Sequence, residues 1–294
     1  MFGQEGFIAV DWGTTNRRAY RVAPDGHHDA QFEDDRGVLS IEAGEFPAAV
    51  AQIRERLGNL PMLLAGMIGS NRGWAEAPYV ACPAGLDQLA AGVVWARSGS
   101  AAIVPGLSLL TEERADVMRG EEVQLLGAVA AGLIPANGLA CHPGTHNKWV
   151  VLAEGQIRSF RTVMTGELFN HLKGKGILAE WLDGPVEPGK AFRDGVHDGL
   201  DGGALGADLF AVRARILLGR GKAEDAASYT SGLLIGADAS AGLADDGGTV
   251  SVIGRPELTR LYAAAIREAG REAVEVDGED AFLAGIVEVA RRMT

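Results

Sequence analysis

Short apolar runs alternate along the chain with longer stretches of helical periodicity. Residues 7–10 (FIAV) are wholly apolar and end at Asp11, the mark of a buried strand. Residues 12–16 (WGTTN) form a turn, residues 18–22 (RAYRV) alternate as a second strand, and Pro24-Asp25-Gly26 reverses the chain again. This opening is a β-hairpin, not the strand–turn–helix of a Rossmann unit. Residues 46–57 carry apolar side chains at amphipathic helical spacing. Residues 62–65 (MLLA) predict another buried strand, followed by a glycine-broken loop over 66–70. A strand running into a turn is expected over 101–106, and a buried helix over 121–131.

The second half restarts in the same manner. Residues 139–142 lead into the turn Pro143-Gly144-Thr145-His146, residues 148–152 form a strand, 153–156 turn, and 157–161 resume. Helices are expected over 207–218 and 226–241, and a strand over 249–253 ends at Gly254. A helix over 256–269 has Pro256 near its start, where proline is tolerated; a last helix covers 282–292. Two strand–turn–strand units at similar places in two halves predict a duplicated fold of two α/β domains with a cleft between them. The expected division is an N-terminal lobe over 1–130 and a C-terminal lobe over 131–294, with the C-terminal helix free to pack back on the first lobe.

Composition narrows the function classes. In 294 residues, 47% hydrophobic against 22% charged describes a folded globular chain, not a disordered one. Lys+Arg of 27 against Asp+Glu of 39 leaves a net charge of −12, with no basic tail. Sequence-independent nucleic-acid binding and anionic membrane surfaces are therefore disfavoured. Cys82 and Cys141 are the two cysteines, too few for a disulfide framework, and a reducing compartment fits. Residues 1–5 (MFGQE) lack the basic start and apolar run of a signal peptide. The longest weakly polar stretch, 125–141, is broken by Pro135 and Asn137, where a span needs ~20 apolar residues. A cytoplasmic protein is expected, with a homodimer entertained because dimers are the commonest soluble assembly.

Several phosphate and catalytic motifs are absent. There is no G-x-x-x-x-G-K-[ST], no G-x-G-x-x-G after a strand and no G-x-S-x-G. Cys141, His142 and His146 lie close together, but a strand-end loop explains them better than a zinc site. The informative constellation is Asp11-Trp12-Gly13-Thr14-Thr15. A carboxylate at a strand end, then a turn rich in amides and hydroxyls, suits a magnesium-bound polyphosphate. Gly13 allows close backbone approach; Asp11 is the candidate Mg2+ ligand, through water. The plain alternative is an ordinary hairpin turn. Gly144-Thr145-His146-Asn147-Lys148 supplies a second such turn, so that two hairpins could clamp one phosphate chain. Lys148, one of five lysines, would serve the terminal phosphates or stand as a solvated strand residue.

These segments carry a resemblance. IAVDWGTTNRRAYRV (8–22) resembles the phosphate-1 motif of the actin, hexokinase and Hsp70 superfamily, and PGTHNKWVVL (143–152) its phosphate-2 hairpin. VSVIGRPELTRLY (250–262) is similar to the adenosine element, with Gly254 at its strand end, and DGEDAFLAGI (277–286) to the second connecting helix. AGMIGSNRGWAEAPY (65–79), VMRGEEVQLLGA (117–128), PGTHNKW and FRTVMTGELF (160–169) together resemble the 2-dehydro-3-deoxygalactonokinase family. The resemblance implies an α/β, two-lobed actin-like ATPase (ribonuclease H-like) fold with duplicated domains, mixed sheets flanked by helices and a central cleft. It implies ATP-dependent phosphorylation of the 6-hydroxyl of 2-dehydro-3-deoxy-D-galactonate in galactonate breakdown, with ATP and Mg2+ as cofactors. Thr14, Thr15, Gly144 and Thr145 would bind phosphates. Related sugar kinases place an Asp after Gly at a helix start before the phosphate-2 hairpin, and here Gly120-Glu121-Glu122 stands in that place, one residue out of register. Glu121 is the candidate base, with Glu122 and Asp11 as rivals; both glutamates could instead complement the helix dipole.

An acid substrate calls for a guanidinium at its carboxylate. Arg18, Arg72, Arg119 and Arg161 lie in or beside the matching segments, with Arg18 and Arg161 carried as candidates. Ser70, Asn71 and Trp74 suit sugar recognition in a polar glycine-rich loop, and Thr165 could open a helix near the substrate. Two alternatives stand beside this reading. One is another sugar or sugar-acid kinase of the same superfamily, the other a non-catalytic nucleotide-binding regulator.

Overall fold

The structure, a computed structural model, describes residues 5–96, 100–243 and 247–293. The first elements in chain order are β1 (Phe7–Trp12), β2 (Arg17–Val22), β3 (His28–Asp34), α1 (Phe46–Leu57), β4 (Met62–Gly66), β5 (Val80–Ala81) and α2 (Leu86–Ala91). They continue with β6 (Val94–Trp95), β7 (Ala101–Ile103), β8 (Leu107–Leu110), β9 (Ala115–Met118) and α3 (Glu121–Ala130). The second series is β10 (Gly138–His142), β11 (Asn147–Ala153), β12 (Gln156–Val163), α4 (Thr165–Gly174), α5 (Lys190–Leu200) and α6 (Leu205–Leu217). It closes with α7 (Ala226–Gly242), β13 (Val250–Gly254), α8 (Pro256–Glu268), β14 (Ala273–Asp277) and α9 (Gly278–Arg292).

The chain divides into two units. Unit 1 comprises Met1–Ala136, Leu152–Ser159 and Gly278–Thr294; unit 2 comprises Asn137–Val151 and Phe160–Asp277. The boundary thus falls six residues later than the 130/131 division read from the sequence, and two separate segments return to unit 1. One is the tip of the β11–β12 hairpin, where Ala84 and Ile157 exchange backbone bonds of 3.1 and 2.9 Å. The other is α9, which packs along α3.

The two main sheets share one order. In unit 1 it is β3-β2-β1-β4-β7-β6, in unit 2 β12-β11-β10-β13-β14. Each has a three-strand meander on one side and parallel strands on the other: β1 pairs β4 and β4 pairs β7, as β10 pairs β13 and β13 pairs β14. The extra edge strand of unit 1, β6, runs antiparallel to β7. β5, β8 and β9 form a separate three-stranded sheet. The core of unit 1 gathers Ile8, Val10, Trp12, Phe46, Ile53 and Leu64. That of unit 2 gathers Cys141, Trp149, Phe192, Val252 and Tyr262. Among the described residues no helix is long and apolar enough to cross a membrane.

Of the elements that went unread in the sequence, three have clear physical reasons. β3 is an edge strand whose residues are exposed or half-buried, so it carries no apolar run. β14 buries only Ala273 and Val276 of its five residues, too little to read as an apolar run. α5 holds Gly195 and Gly199, poor helix formers. Those glycines are what seat it against α7. A Cβ at Gly195 would lie 2.1 Å from the Tyr229 carbonyl oxygen, and one at Gly232 2.0 Å from that of Phe192. Unit 1 repeats the device where α3 crosses α9: a Cβ at Gly127 would lie 2.1 Å from the Ala281 oxygen, and one at Gly285 2.0 Å from that of Val123.

Alanine is normally the better helix former by about 1 kcal/mol. At Gly127 the backbone contact reverses this, and Gly127→Ala is expected to cost about 2 kcal/mol by overpacking. At Gly206 in α6, where a Cβ meets nothing within 4 Å, Gly206→Ala is expected to be neutral or to stabilise by up to about 1 kcal/mol. Urea unfolding of the two variants beside the native chain measures both signs; a Gly127→Ala protein as stable as native would contradict the crossing.

Candidate active site

β1 is buried along its length except at Asp11, which sits half-buried opposite Arg18 in the β1–β2 ladder. Arg18 Nη2 lies 3.5 Å from Asp11 Oδ2, and its Nη1 lies 3.7 Å from Glu279 Oε2. The turn that follows is closed by the Gly13 amide donating to the Asn16 carbonyl at 2.9 Å. The next three carbonyls are taken from behind. Amides of Val38, Leu39 and Gly37 donate to the oxygens of Gly13, Thr14 and Thr15 at 3.0, 3.1 and 3.1 Å. Trp12 Nε1 donates to the Arg36 carbonyl at 2.9 Å and holds the same segment. Gly37 is essential to this fit: a Cβ there would stand 2.3 Å from the Thr15 carbonyl carbon. The amides and hydroxyls of Thr14 and Thr15, both exposed, have no partner among the described residues. Consecutive amides left open in this way form an anion-holding concavity.

Unit 2 builds a second open turn from different parts. Between β10 and β11, the Thr145 carbonyl accepts the Glu167 amide at 2.9 Å. Lys148 is buried, and its Nζ donates to the His146 carbonyl at 3.1 Å. Lys148 thus folds back to hold the turn, rather than standing in solvent. His146 Nε2 pairs with the Glu167 carboxylate, a bond that lowers the carboxyl's pKa. Gly166 lets α4 begin directly on the turn, since a Cβ would lie 2.5 Å from the Gly144 oxygen and 2.9 Å from Thr145 Cα. The amides of Gly144 and Thr145 have no partner among the described residues. Beside them a pocket of ≈ 70 Å³ opens between α4, α7 and α8, walled by Phe169, Leu234 and Leu258, with Ser231 as a polar group. Gly254 ends β13 at φ +153°, a value that favours glycine, and Pro256 starts α8.

A third group of residues surrounds the ends of β1 and β4. Gly66 closes β4 at φ +91°, and a Cβ there would lie 2.7 Å from the Trp12 oxygen. Gly120 precedes α3 at φ +112°, and its Cβ would lie 3.2 Å from Gly66 Cα. Two glycines therefore bring the first residues of α3 onto the carboxyl ends of two parallel strands, where α/β sheets place their ligands. Glu121 is half-buried, and its Oε2 accepts the Arg119 amide at 3.0 Å. Glu122 is wholly buried, and both its oxygens accept the Gly120 amide, at 2.8 and 2.7 Å. Burial, with the neighbouring Glu121 charge, pushes its pKa up to about 8.

Residues 67–79 fold over the same end of unit 1. The Trp74 amide donates to the Ile68 carbonyl at 3.0 Å, and the Ala77 amide to that of Gly69 at 3.0 Å. Arg119 fixes the loop by donating from Nη2 to the Ala77 carbonyl at 2.8 Å and stacking 4.3 Å over Tyr79. Ser70 is buried and its hydroxyl accepts the Arg72 amide at 3.2 Å. Trp74 packs half-buried on the unit 1 core. Asn71 and Arg72 are exposed, and their side chains have no partner among the described residues.

The structure therefore gathers Asp11, Gly13, Thr14, Thr15, Arg18, Ser70, Asn71, Trp74 and Glu121 in unit 1. Gly144, Thr145, Lys148, Arg161, Thr165 and Gly254 belong to unit 2. Arg161 projects from β12 and donates from Nη1 to the Ala241 carbonyl at 2.9 Å. Thr165 is buried, and its hydroxyl donates 2.5 Å into the carboxylate of Asp238. The sequence reading missed Gly37 and Asp238, and took Gly166 only as part of a helix start. Only Asp238 left a local signal, as the one charged residue in the 17-residue α7.

The family description 2-keto-3-deoxy-galactonokinase matches residues 11–289. The chain is 37% identical over 296 residues to the 2-dehydro-3-deoxygalactonokinase of Escherichia coli (strain K12), with 97% of each chain covered. A crystal structure from Sinorhizobium meliloti carrying the name 2-dehydro-3-deoxygalactonokinase superposes with a TM-score of 0.87 at 35% identity, covering 97% of this chain and 98% of that one. Component A of (R)-2-hydroxyglutaryl-CoA dehydratase from Acidaminococcus fermentans gives a TM-score of 0.55 at 12% identity, covering 99% and 100%, and shares the fold alone. With nearly its whole length matched, the chain belongs to the 2-keto-3-deoxy-galactonokinase family.

Proposed function

We propose that the protein transfers the γ-phosphoryl group of ATP to the 6-hydroxyl of 2-dehydro-3-deoxy-D-galactonate, in the cytoplasm, as a step of galactonate breakdown. The observation that carries the substrate is the 37% identity, across 97% of both chains, with an enzyme of that name. The two braced turns support the nucleotide. Phosphoryl transfer needs positioning and charge neutralisation more than covalent help from the protein. Each turn offers outward amides suited to phosphate oxygens, those of Thr14 and Thr15 in one and those of Gly144 and Thr145 in the other. The apolar walls beside Gly144 and Gly166 suit a purine ring.

Asp11 suits a magnesium ion, which asks for one or two carboxylates and completes its shell with water and phosphate oxygens. No cluster of three or more His, Cys, Asp or Glu gathers among the described residues to cage a metal unaided. When bound, the ion would neutralise charge on the transferring phosphates. In the reaction the 6-oxygen bonds to the γ-phosphorus, the bond from that phosphorus to the β–γ bridging oxygen breaks, and ADP departs. The hydroxyl proton goes to a carboxylate, and Glu121 is our choice. Glu122 is shut away from any substrate and holds its own proton at neutral pH. Asp11 is engaged with Arg18. Ser70, Asn71 and Trp74 then face the sugar.

Of the four arginines, Arg72 is the one we assign to the substrate carboxylate. Arg18 is tied to Asp11 and Glu279, Arg161 to a backbone carbonyl, and Arg119 is buried over Tyr79. Arg72 is exposed on the sugar loop with its guanidinium uncommitted, and its fork matches a carboxylate.

ATP turnover is expected with 2-dehydro-3-deoxygalactonate and not with glucose, xylulose or glycerol, read as ADP release. Arg72→Met should raise KM for the sugar acid at least tenfold and leave KM for ATP within twofold. Turnover restricted to a neutral sugar would remove the substrate assignment.

Glu121→Gln should lower kcat by about 10²–10⁴-fold, the usual contribution of a positioned base, with ATP still bound. Glu122→Gln should keep activity and change the pH dependence of stability. In the native chain Glu122 is protonated when folded up to about pH 8, and ionised when unfolded above the ordinary carboxyl range near 4.5. The folded state therefore binds the extra proton, and native stability falls as pH rises between these values. The Gln variant lacks that decline, so its stability relative to native rises from pH 5 to pH 8 in urea titrations. A flat difference would contradict the buried neutral carboxyl.

A further inference from the structure

Behind the unit 2 turn lies a buried carboxylate that the proposed chemistry leaves unused. Asp238 on α7 is 2% exposed. Its Oδ1 accepts Trp149 Nε1 at 2.7 Å, and its Oδ2 accepts the hydroxyls of Thr165 at 2.5 Å and Tyr262 at 2.7 Å. Asn147 Nδ2 reaches both oxygens, at 3.2 and 3.1 Å. The four donors come from β11, α4 and α8. All are neutral, so the carboxylate oxygens are satisfied by hydrogen bonds rather than by a cation.

Two of these donors hold the turn from both of its approaches. Asn147 is the first residue after it, and Asn147 Oδ1 accepts the Cys141 thiol at 3.2 Å. Cys141 stands near the end of β10, so the chain Cys141–Asn147–Asp238 straddles residues 143–146. Thr165 opens α4, whose next two residues touch the turn directly: Gly166 lies against Gly144, and the Glu167 amide holds the Thr145 carbonyl. Burial, reinforced by the Asp238 charge, pushes the Cys141 thiol and the Tyr262 phenol far up, so both keep the protons they donate. Trp149 has one seat, over Gly242, where any Cβ would fall 2.1 Å from its ring.

We propose that Asp238 is a positioning residue for the ATP phosphates: as the common acceptor for Asn147 and Thr165, it sets the shape in which the Gly144–Thr145 amides face outward. The inference rests on the reading of that turn as a phosphate site. Asp238 touches no reacting atom and acts only through the backbone it holds. Replacing it with Asn removes one acceptor oxygen and sets an NH2 group among buried donors, a cost that falls on the turn.

The experiment is calorimetric binding of a non-hydrolysable ATP analogue and of adenosine to the full chain, with thermal unfolding to show that each variant folds. Asp238→Asn and Asn147→Ala should each weaken the ATP analogue about tenfold and leave adenosine within twofold. Val212→Ala, which thins unit 2 packing at Leu178, Leu182 and Ala226, should lower the melting temperature without moving the ratio of the two affinities. If Asp238→Asn fails to fold, Asn147→Ala carries the test. A ratio unchanged in the folded hub variants overturns the proposal, as does a Val212→Ala ratio moved equally far. A native chain that binds no ATP analogue overturns the nucleotide reading and this inference with it.

Discussion

A hairpin turn can offer its amide hydrogens to a ligand only if its carbonyls are satisfied from behind. Left alone, a short turn spends its donors on its own acceptors or on water, and its shape drifts. Both open turns of this protein meet that condition. In unit 1 the oxygens of residues 13–15 are taken by three successive amides of residues 37–39. In unit 2 the Thr145 oxygen is taken by the Glu167 amide and the His146 oxygen by a buried lysine. Bracing of this kind demands backbone-to-backbone contact closer than a Cβ allows, hence Gly37 and Gly166.

The duplication makes the comparison instructive. The two sheets share an order, and each places its open turn between the first two strands of the meander. Yet the braces are not equivalent. Unit 1 uses backbone amides, on a segment pinned by the Trp12 indole. Unit 2 uses a helix start, and that start is tied by Thr165 to a buried carboxylate. A backbone brace is insensitive to most side-chain changes away from the glycine. A side-chain hub concentrates the same task in a few polar atoms that must all be satisfied together. The topology is repeated, and the means of holding the turn are not.

Much of this was legible along the chain, because it is local. The apolar runs of β1, β4, β10 and β13, the helical spacing of α1, α3 and α8, and the Gly-Thr turns all lie within a few residues of one another. Asp11, Thr14, Thr15, Gly144 and Thr145 could be named for that reason. What stayed hidden depends on contacts between distant residues. Gly37 is one glycine among 41 until its distance to Thr15 is known. α5 is disguised by the two glycines that seat it against α7. Among the arginines sequence could offer only four names, since commitment to Asp11, to Ala241 or to Tyr79 is a tertiary fact. Glu121 and Glu122 were likewise neighbours in a string, and burial is what separates one that can meet a substrate from one that cannot.

The charge of the chain gives these arrangements a further logic. A protein with a net charge of −12 that binds a polyphosphate and a carboxylate must overcome its own repulsion near the ligands. Scattered surface lysines would do this weakly, because water and salt screen them. Neutral amides held in place do it without adding a charge that must itself be desolvated. The lysine beside the unit 2 turn itself donates to a backbone carbonyl. In the proposed reading, fixed dipoles at the turns and the exposed Arg72 of the 67–79 loop would place positive potential where the anions bind. The cost is geometric: dipoles are directional, and an amide turned by a few tens of degrees is lost to the ligand where a lysine would simply reorient. An acidic kinase built on amides must therefore hold its turns rigidly, and braces of glycine and buried carboxylate are what such rigidity requires.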